Sequence, residues 1–217
     1  MKVSFVIPSY NNFPLVNQLL VDLYEHCQPD EVLVVDDCSN DSAAVDGLKW
    51  WSLNYKVKVV RPLENLGFLK ASNYGMKLAT GGIICTISTD VRVEINLSQL
   101  LKDILKENPR RLIGGIVYEE TTGWNEFGGK IFPYAEGWLL ATGKEQWEEL
   151  GYFDERYGNS DFEDVHLSTL AISKGYQLYP INSPKIQHLG AQTYGYTEER
   201  KARTEKNREI FRSIWIK

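Results

Sequence analysis

Asp90 ends the run "GIICTISTD", where apolar Ile83 to Ile87 gives way abruptly to Ser88, Thr89 and a lone carboxylate. A second abrupt ending is "EVLVVDD", which sets Asp36 and Asp37 directly after four apolar residues. Charge there is costly unless something uses it. "DFEDVHL" brings Glu163 and Asp164 together where a helical pattern starts, and "KIQHLG" ends a short strand pattern on His188. Carboxylates at strand ends are the groups that hold a divalent cation or accept hydrogen bonds from a bound molecule. Paired acids at a helix start are also what the helix dipole favours, so the pair alone leaves a structural role open.

These residues need a scaffold that gathers them, and the first 90 residues alternate in a way that supplies one. "KVSFVIP", "EVLVVDD", "KVKVVRP" and "GIICTIS" read as strands. Between them "FPLVNQLLVDLYEHC", "DSAAVDGLKWW" and "FLKASNYGMKLA" carry helical spacing. Alternation of this kind predicts parallel βαβ units, with continuous apolar strands such as Val32 to Val35 covered on both faces. Beyond Asp90 the alternation weakens. A helix is expected over Leu97–Glu107, then the strand-like "RLIGGIVYE" and a Gly/aromatic stretch. A helix at "DFEDVHLSTLAISKG", short strands at "YQLYP" and "KIQHLG", and a charged C-terminal helix complete the pattern.

The expectation is one α/β domain over residues 1–217, a mixed, mainly parallel Rossmann-like sheet flanked by helices. Its halves would be 1–90 and 91–217. The 217 residues suffice for one sizeable core, and no repeat or Pro/Ser linker divides them. A net charge of −5 implies no general attraction to nucleic acid. The three cysteines, Cys27, Cys38 and Cys85, lack metal-ligand spacing and read as reduced structural thiols. No run approaches the ~20 apolar residues of a membrane helix, and the N-terminus lacks a signal-peptide core, so a cytoplasmic protein is expected.

In an open parallel sheet, ligands bind beyond the carboxyl ends of the strands. Four polar segments fall there: "PSYNN", "DDCSND", "ENLGF" and "STD". No G-x-G-x-x-G follows the first strand and no G-x-x-x-x-G-K-[ST] occurs, so neither a Rossmann dehydrogenase nor a P-loop NTPase is supported. A phosphate ligand would need positive charge from elsewhere, and a divalent metal is the obvious source.

Together "VSFVIPSYNN", "EVLVVDDCSND", "NLGFLKASNYGMKLATGGIICTISTDVRV" and "GYFDERYGNSDFEDVHLSTLAISKGYQLYPINSPKIQHLG" resemble, in order and over nearly the whole chain, the signatures of family 2 glycosyltransferases. The resemblance implies the GT-A fold, a nucleotide-diphosphate sugar as donor, with a UDP-sugar expected, and inversion at the anomeric carbon. The acceptor would be a hydroxyl of a glycan, polysaccharide or glycolipid. Residues 1–90 would bind the donor and 91–217 the acceptor.

Carried over residue by residue, the resemblance implies that Tyr10 stacks on the nucleotide base, with Pro8 and Asn11 shaping its turn. Asp37, with Asp36 close by, would accept hydrogen bonds from base and ribose. Asn65, Gly67 and Asn73 match the nucleotide-contacting segment, and Lys70 is open to a phosphate role or to solvent. The family's D-x-D or N-x-D reads Ser88-Thr89-Asp90 here. The last acid, which binds Mn²⁺ or Mg²⁺, is kept; the first is a hydroxyl able to bond ribose or metal-bound water. His188 would join Asp90 on the metal, and its imidazole suits Mn²⁺. Asp164 falls on the general base and Glu163 on its companion; His166 stands where a further acid is common. Glu136, Gly137 and Trp138 are expected in the acceptor wall, with Trp124, Phe132 and Tyr134 as further aromatics of a sugar platform. The C-terminal "TEERKARTEKNREIFRSIWIK" is expected to dock on the domain, with peripheral membrane contact as the alternative. Two other classes stay open: an inert nucleotide-sugar or glycan binder, suggested by Ser88, and a sugar nucleotidyltransferase. The second would want a Gly-rich basic loop where "PSYNN" stands.

Overall fold

The computed structural model describes residues 1–190 and 197–216. Strands β1 (Val3–Ser9), β2 (Glu31–Asp36), β3 (Val57–Val60) and β4 (Ile83–Ile87) form the parallel part of the sheet expected from the alternation. Helices α1 (Phe13–Asp22), α2 (Ser42–Asn54) and α3 (Phe68–Leu78) connect them. The helix expected through Cys27 changes at Asp22 to a π-helical turn, Leu23–Cys27. Asp41 caps α2, accepting from the Ala43 N–H at 3.1 Å, the role an Asp before a helix commonly takes.

Past Asp90 come β5 (Val91–Val93), α4 (Leu97–Glu107), β6 (Arg111–Gly114) and β7 (Val117–Tyr118). The Gly/aromatic stretch holds β8 (Glu126–Phe127), β9 (Lys130–Ile131), β10 (Tyr134–Ala135) and β11 (Leu139–Gly143), and α5 (Lys144–Leu150) follows. Then come α6 (Glu163–Ser173), β12 (Gln177–Pro180), β13 (Ile186–His188) and α7 (Glu198–Trp215). Lys217, at the end of the expected C-terminal helix, lies outside the described residues.

One seven-stranded sheet runs β12-β6-β11-β4-β1-β2-β3. Strand β11 is antiparallel to both its neighbours, and the other pairs are parallel. The strand order turns back at β1, which lies between β2 and β4; that switch opens a crevice at the strands' carboxyl ends. The sheet's two faces carry separate cores. Phe5, Ile7, Leu19, Leu20 and Trp51 pack on one side; Val6, Leu69, Trp147, Tyr157 and Phe211 pack on the other. Phe211 is wholly buried, so α7 docks on the domain. No helix among the described residues is long and apolar enough to cross a membrane.

Candidate active site

The crevice is a cleft of about 460 Å³. Pro8, Tyr10, Asp37, Asn65 and Gly67 line it from the first half of the chain, and Ser88, Thr89 and Asp90 from the end of β4. Glu136, Gly137, Trp138, Glu163, Asp164 and His188 line it from the second half.

Two contacts with the second half set the floor. The Ser88 N–H donates to the Trp138 carbonyl at 2.8 Å. Strand β13 pairs antiparallel with β5, placing His188 opposite Val91, and the Leu189 N–H donates to the Asp90 carbonyl at 2.9 Å. His188 Nε2 thereby reaches 3.4 Å from Asp90 Oδ1. The imidazole stacks on Trp138, with ring centroids 5.1 Å apart and 16° between planes. One buried carboxylate oxygen and one imidazole nitrogen converge, a donor pair that suits a borderline divalent cation. Among the described residues no third His, Cys, Asp or Glu joins to complete a cation cage. Any cation held there would need ligands from a bound phosphate or water.

Asp37 organises the turn that leads into α3. Its Oδ1 and Oδ2 accept from the N–H groups of Leu66 (2.7 Å) and Gly67 (2.8 Å), while Asn65 Nδ2 donates to its carbonyl at 2.8 Å. Gly67 adopts φ +74°, and a Cβ there would lie 2.0 Å from Asn159 Oδ1. Glycine meets both demands, the backbone angle and the close approach.

Asp36, Asn11 and Asn73 do not line the cleft. As the last residue of β2, Asp36 points away from Asp37, accepting from Ser39 N–H (3.0 Å) and from Arg61 Nη1 (2.5 Å). Asn11 ties its turn to the next loop, its Oδ1 accepting from the N–H groups of Asn40 and Asp41. Asn73 faces across α3 to the Phe153 backbone, donating to its carbonyl and accepting from its N–H. Lys70 is exposed on α3, off the cleft. Of the expected aromatic platform only Trp138 reaches it: Phe132 and Tyr134 are core, because Phe132 packs on Phe211 of α7 and β10 packs on α6, and Trp124 lies on an outer loop.

At the far wall α6 starts after two consecutive left-handed residues, Asp161 and Phe162, each with φ 75°. Left-handed backbone costs roughly 1–2 kcal/mol for each non-glycine residue. The turn delivers Glu163 and Asp164 to the cleft. Asp164 Oδ2 accepts from the Gly137 N–H at 3.1 Å and Oδ1 from its neighbour Val165 at 2.8 Å. Burial pushes the Asp164 carboxyl up to about 7; the two backbone bonds oppose the shift and the charge of Glu136 adds to it. Glu163 is raised well above the carboxylate range by burial and then by Asp164, and its Oε2 has no hydrogen-bond partner. Glu136 accepts from the Trp138 indole N–H at 2.9 Å, which fixes the ring that backs His188.

Asn159, Asp161 and Arg200 also line the cleft; the sequence singles out only Asp161 among them, as an acid that a helix start favours. Asn159 and Asp161 directly precede the Glu-Asp pair, a nearness that was available; Arg200 comes from α7 with no spacing signal. His166 is buried behind the site, where its Nδ1 lies 3.1 Å from both Tyr157 Oη and Trp215 Nε1.

The β2-β1-β4 crevice thus carries an acid and a histidine on its floor and a carboxyl pair on its wall. The sequence model of glycosyl transferase family 2 matches residues 4–169, so the chain belongs to that family. It is 26% identical over 140 residues to the glycosyltransferase GlyG of Streptococcus pneumoniae, covering 62% of this chain and 44% of that protein. It is 34% identical over 95 residues to a poly(ribitol-phosphate) beta-glucosyltransferase of Bacillus spizizenii, 42% of this chain and 15% of that protein. The chain thus spans less than half the length of the curated relatives it matches. Among solved structures, the mannosyltransferase PcManGT of Pyrobaculum calidifontis, in complex with GDP-Man and Mn²⁺, superposes with a TM-score of 0.73. That likeness holds at 19% identity and covers 98% of this chain and 64% of that one. TarS 1–349 of S. aureus in complex with UDP superposes at 0.61, with 20% identity and 86% and 59% coverage. The fold is GT-A.

Proposed function

We propose that the protein is an inverting glycosyltransferase that moves a sugar from a nucleotide diphosphate, a UDP-sugar first among candidates, to a hydroxyl of a glycan, polysaccharide or lipid-linked acceptor. The observation that carries this reading is that Asp90–His188 and Glu163–Asp164 open onto one cleft, so a pyrophosphate and an acceptor hydroxyl can meet between them. Residues 1–90 hold the donor: Tyr10 stacks on the base, while Pro8, Asp37, Asn65 and Gly67 shape the nucleotide pocket. Ser88 and Thr89 line the ribose and phosphate path. Asp90 and His188 would hold Mn²⁺ or Mg²⁺, which when bound neutralises charge on the leaving diphosphate.

Residues 91–217 hold the acceptor, against Glu136, Gly137 and Trp138. Asp164 takes the acceptor hydroxyl's proton as its oxygen attacks the anomeric carbon. The carbon–oxygen bond to the diphosphate breaks, and the diphosphate leaves with the electron pair. Attack opposite to departure inverts the centre. A base whose carboxyl titrates near 7 is matched to neutral pH. Glu163, whose carboxyl burial pushes up, faces the same cleft and can hydrogen-bond a sugar oxygen or hydroxyl. With Phe211 of α7 buried in the domain, any contact with a membrane carrying lipid-linked acceptors would fall to the outer, charged face of that helix.

A panel of UDP- and GDP-sugars, incubated with Mn²⁺ and scored for released nucleotide and sugar transfer, tests the reading with parent and Asp164→Asn chains. Turnover by the parent and its loss in the variant are expected. Ser88, where the family motif carries Asp or Asn, favours a second reading: donor binding without transfer. Binding of UDP or GDP by a parent that turns over no donor would establish it.

A further inference from the structure

Helix α7 lies beyond the stretch that the family model matches, yet it grips the turn that launches the Glu163–Asp164 pair. Asn207 is 2% exposed, and its Nδ2 donates to the carbonyls of Tyr157 (2.8 Å), Ser160 (2.9 Å) and Asp161 (2.8 Å). Arg200 Nη2 donates to Asp161 Oδ1 at 2.9 Å. Arg203 Nη2 and Thr204 Oγ1 reach Asp161 Oδ2 at 3.2 and 3.1 Å. One turn further, the buried Phe211 ring packs on Phe162, with centroids 5.9 Å apart. Both left-handed residues before Glu163 are therefore held from α7.

We propose that α7 is a brace for the acid pair and that Asn207 is its central positioning residue. The proposal rests on the reading of Asp164 as base. Two adjacent non-glycine residues at φ 75° do not hold themselves; such backbone persists only where its surroundings over-determine it. The paired hydrogens of one primary amide reach three converging carbonyls, and the Asp161 carboxylate is fixed by three further side chains. Releasing these bonds lets the turn relax, and Asp164 leaves its place beside Gly137, while the pocket's own bonds from Asp37 to Leu66 and Gly67 remain. A shift of about 1 Å in a reacting group costs on the order of 10²-fold in rate.

The test is Asn207→Leu, which keeps the side chain's branched shape and removes its donors. The parent and Asp164→Asn chains run alongside, with UDP-glucose, UDP-N-acetylglucosamine and GDP-mannose as donors and Mn²⁺ present. The expected result is a fall in kcat of about 10- to 100-fold with donor KM and UDP or GDP affinity unchanged. The midpoint of the kcat–pH profile also moves down from about 7, because the loosened turn lets water reach a carboxyl surrounded by Glu136, Glu163 and Asp161. A merely structural residue would lower Tm and leave both kcat and that midpoint where they are; this outcome, with Asp164→Asn inactive, overturns the brace alone. Turnover retained by Asp164→Asn overturns the base assignment and the brace with it. Should Asn207→Leu fail to fold, Thr204→Val decides. It deletes the hydroxyl that reaches Asp161 Oδ2 and the Arg200 carbonyl, and a smaller kcat loss with a downward midpoint supports the brace, whereas parent values overturn it.

Discussion

His188 Nε2 stands 3.4 Å from Asp90 Oδ1 while the same imidazole lies flat on Trp138. The floor of the cleft and its Trp138 wall are thus one packed unit. The contact follows from topology: β13 returns beside β5, and the Ser88 N–H is bonded to the Trp138 carbonyl.

The first prediction concerns that pair. Asp90→Asn and His188→Ala should each weaken Mn²⁺ binding in the presence of UDP or GDP, Asp90→Asn the more because it removes charge. Ser88→Asp should strengthen it at least about tenfold, since a unit charge near a divalent ion is worth a few kcal/mol even at an effective dielectric of ~20. Calorimetric Mn²⁺ titrations measure all three. Equal affinities in parent and Asp90→Asn would remove the metal assignment.

Asp164 predicts two opposite pH trends. As a base it works deprotonated, so kcat should climb through about 7 and level off above. Stability runs the other way. A carboxyl whose folded pKa is raised binds its proton more tightly in the folded chain, so its contribution falls as pH rises from the unfolded value near 4 through about 7. Asp164→Asn should therefore lose turnover yet gain Tm relative to the parent at pH 8, with the gain shrinking towards pH 4. Thermal melts across pH decide, and a variant less stable at pH 8 would contradict the assignment.

The two adjacent acids at the end of β2 should separate cleanly. Asp36 is locked to Arg61 and Ser39, so Asp36→Asn should cost about 1–3 kcal/mol of stability and spare donor affinity in the folded fraction. Asp37 faces the cleft, so Asp37→Asn should weaken UDP or GDP binding in chains that remain folded. Denaturant melts paired with nucleotide titrations measure both, and a reversed pattern would exchange the two roles.

Gly115 supports Trp138 from behind. A Cβ at Gly115 would meet the indole ring at 1.9 to 2.5 Å, too close for any rotamer to absorb. Gly115→Ala should cost about 1–3 kcal/mol by overpacking. Because the ring backs His188, it should also weaken Mn²⁺ binding without touching a ligand. Unchanged Mn²⁺ affinity would show that the stack does not support the site.

Much of this was legible in the sequence because strand ends in a parallel sheet are read from alternation alone. Asp37, Ser88 and Asp90 reach the cleft as the last turn of polarity after β2 and β4 requires. Side-chain direction was not legible. Asp36 sits one residue from Asp37, and a strand's period of two sends neighbours to opposite sides. Asn73 lies on the face of α3 that meets the Phe153 loop, and Phe132 follows a hairpin whose packing partner, Phe211, is 79 positions away in chain order. The same long separation hides Arg200 and Asn207: no local pattern joins α7 to the turn before α6.

The central claim is that a nucleotide diphosphate binds at this rim through a cation on Asp90. A crystal of the protein grown with UDP and Mn²⁺, with GDP as the second nucleotide, gives the most direct test through the anomalous signal of manganese. The expected peak lies between the Asp90 carboxylate and the diphosphate, with the His188 imidazole beside it. A manganese peak elsewhere, or a bound diphosphate with Asp90 turned away, would contradict it.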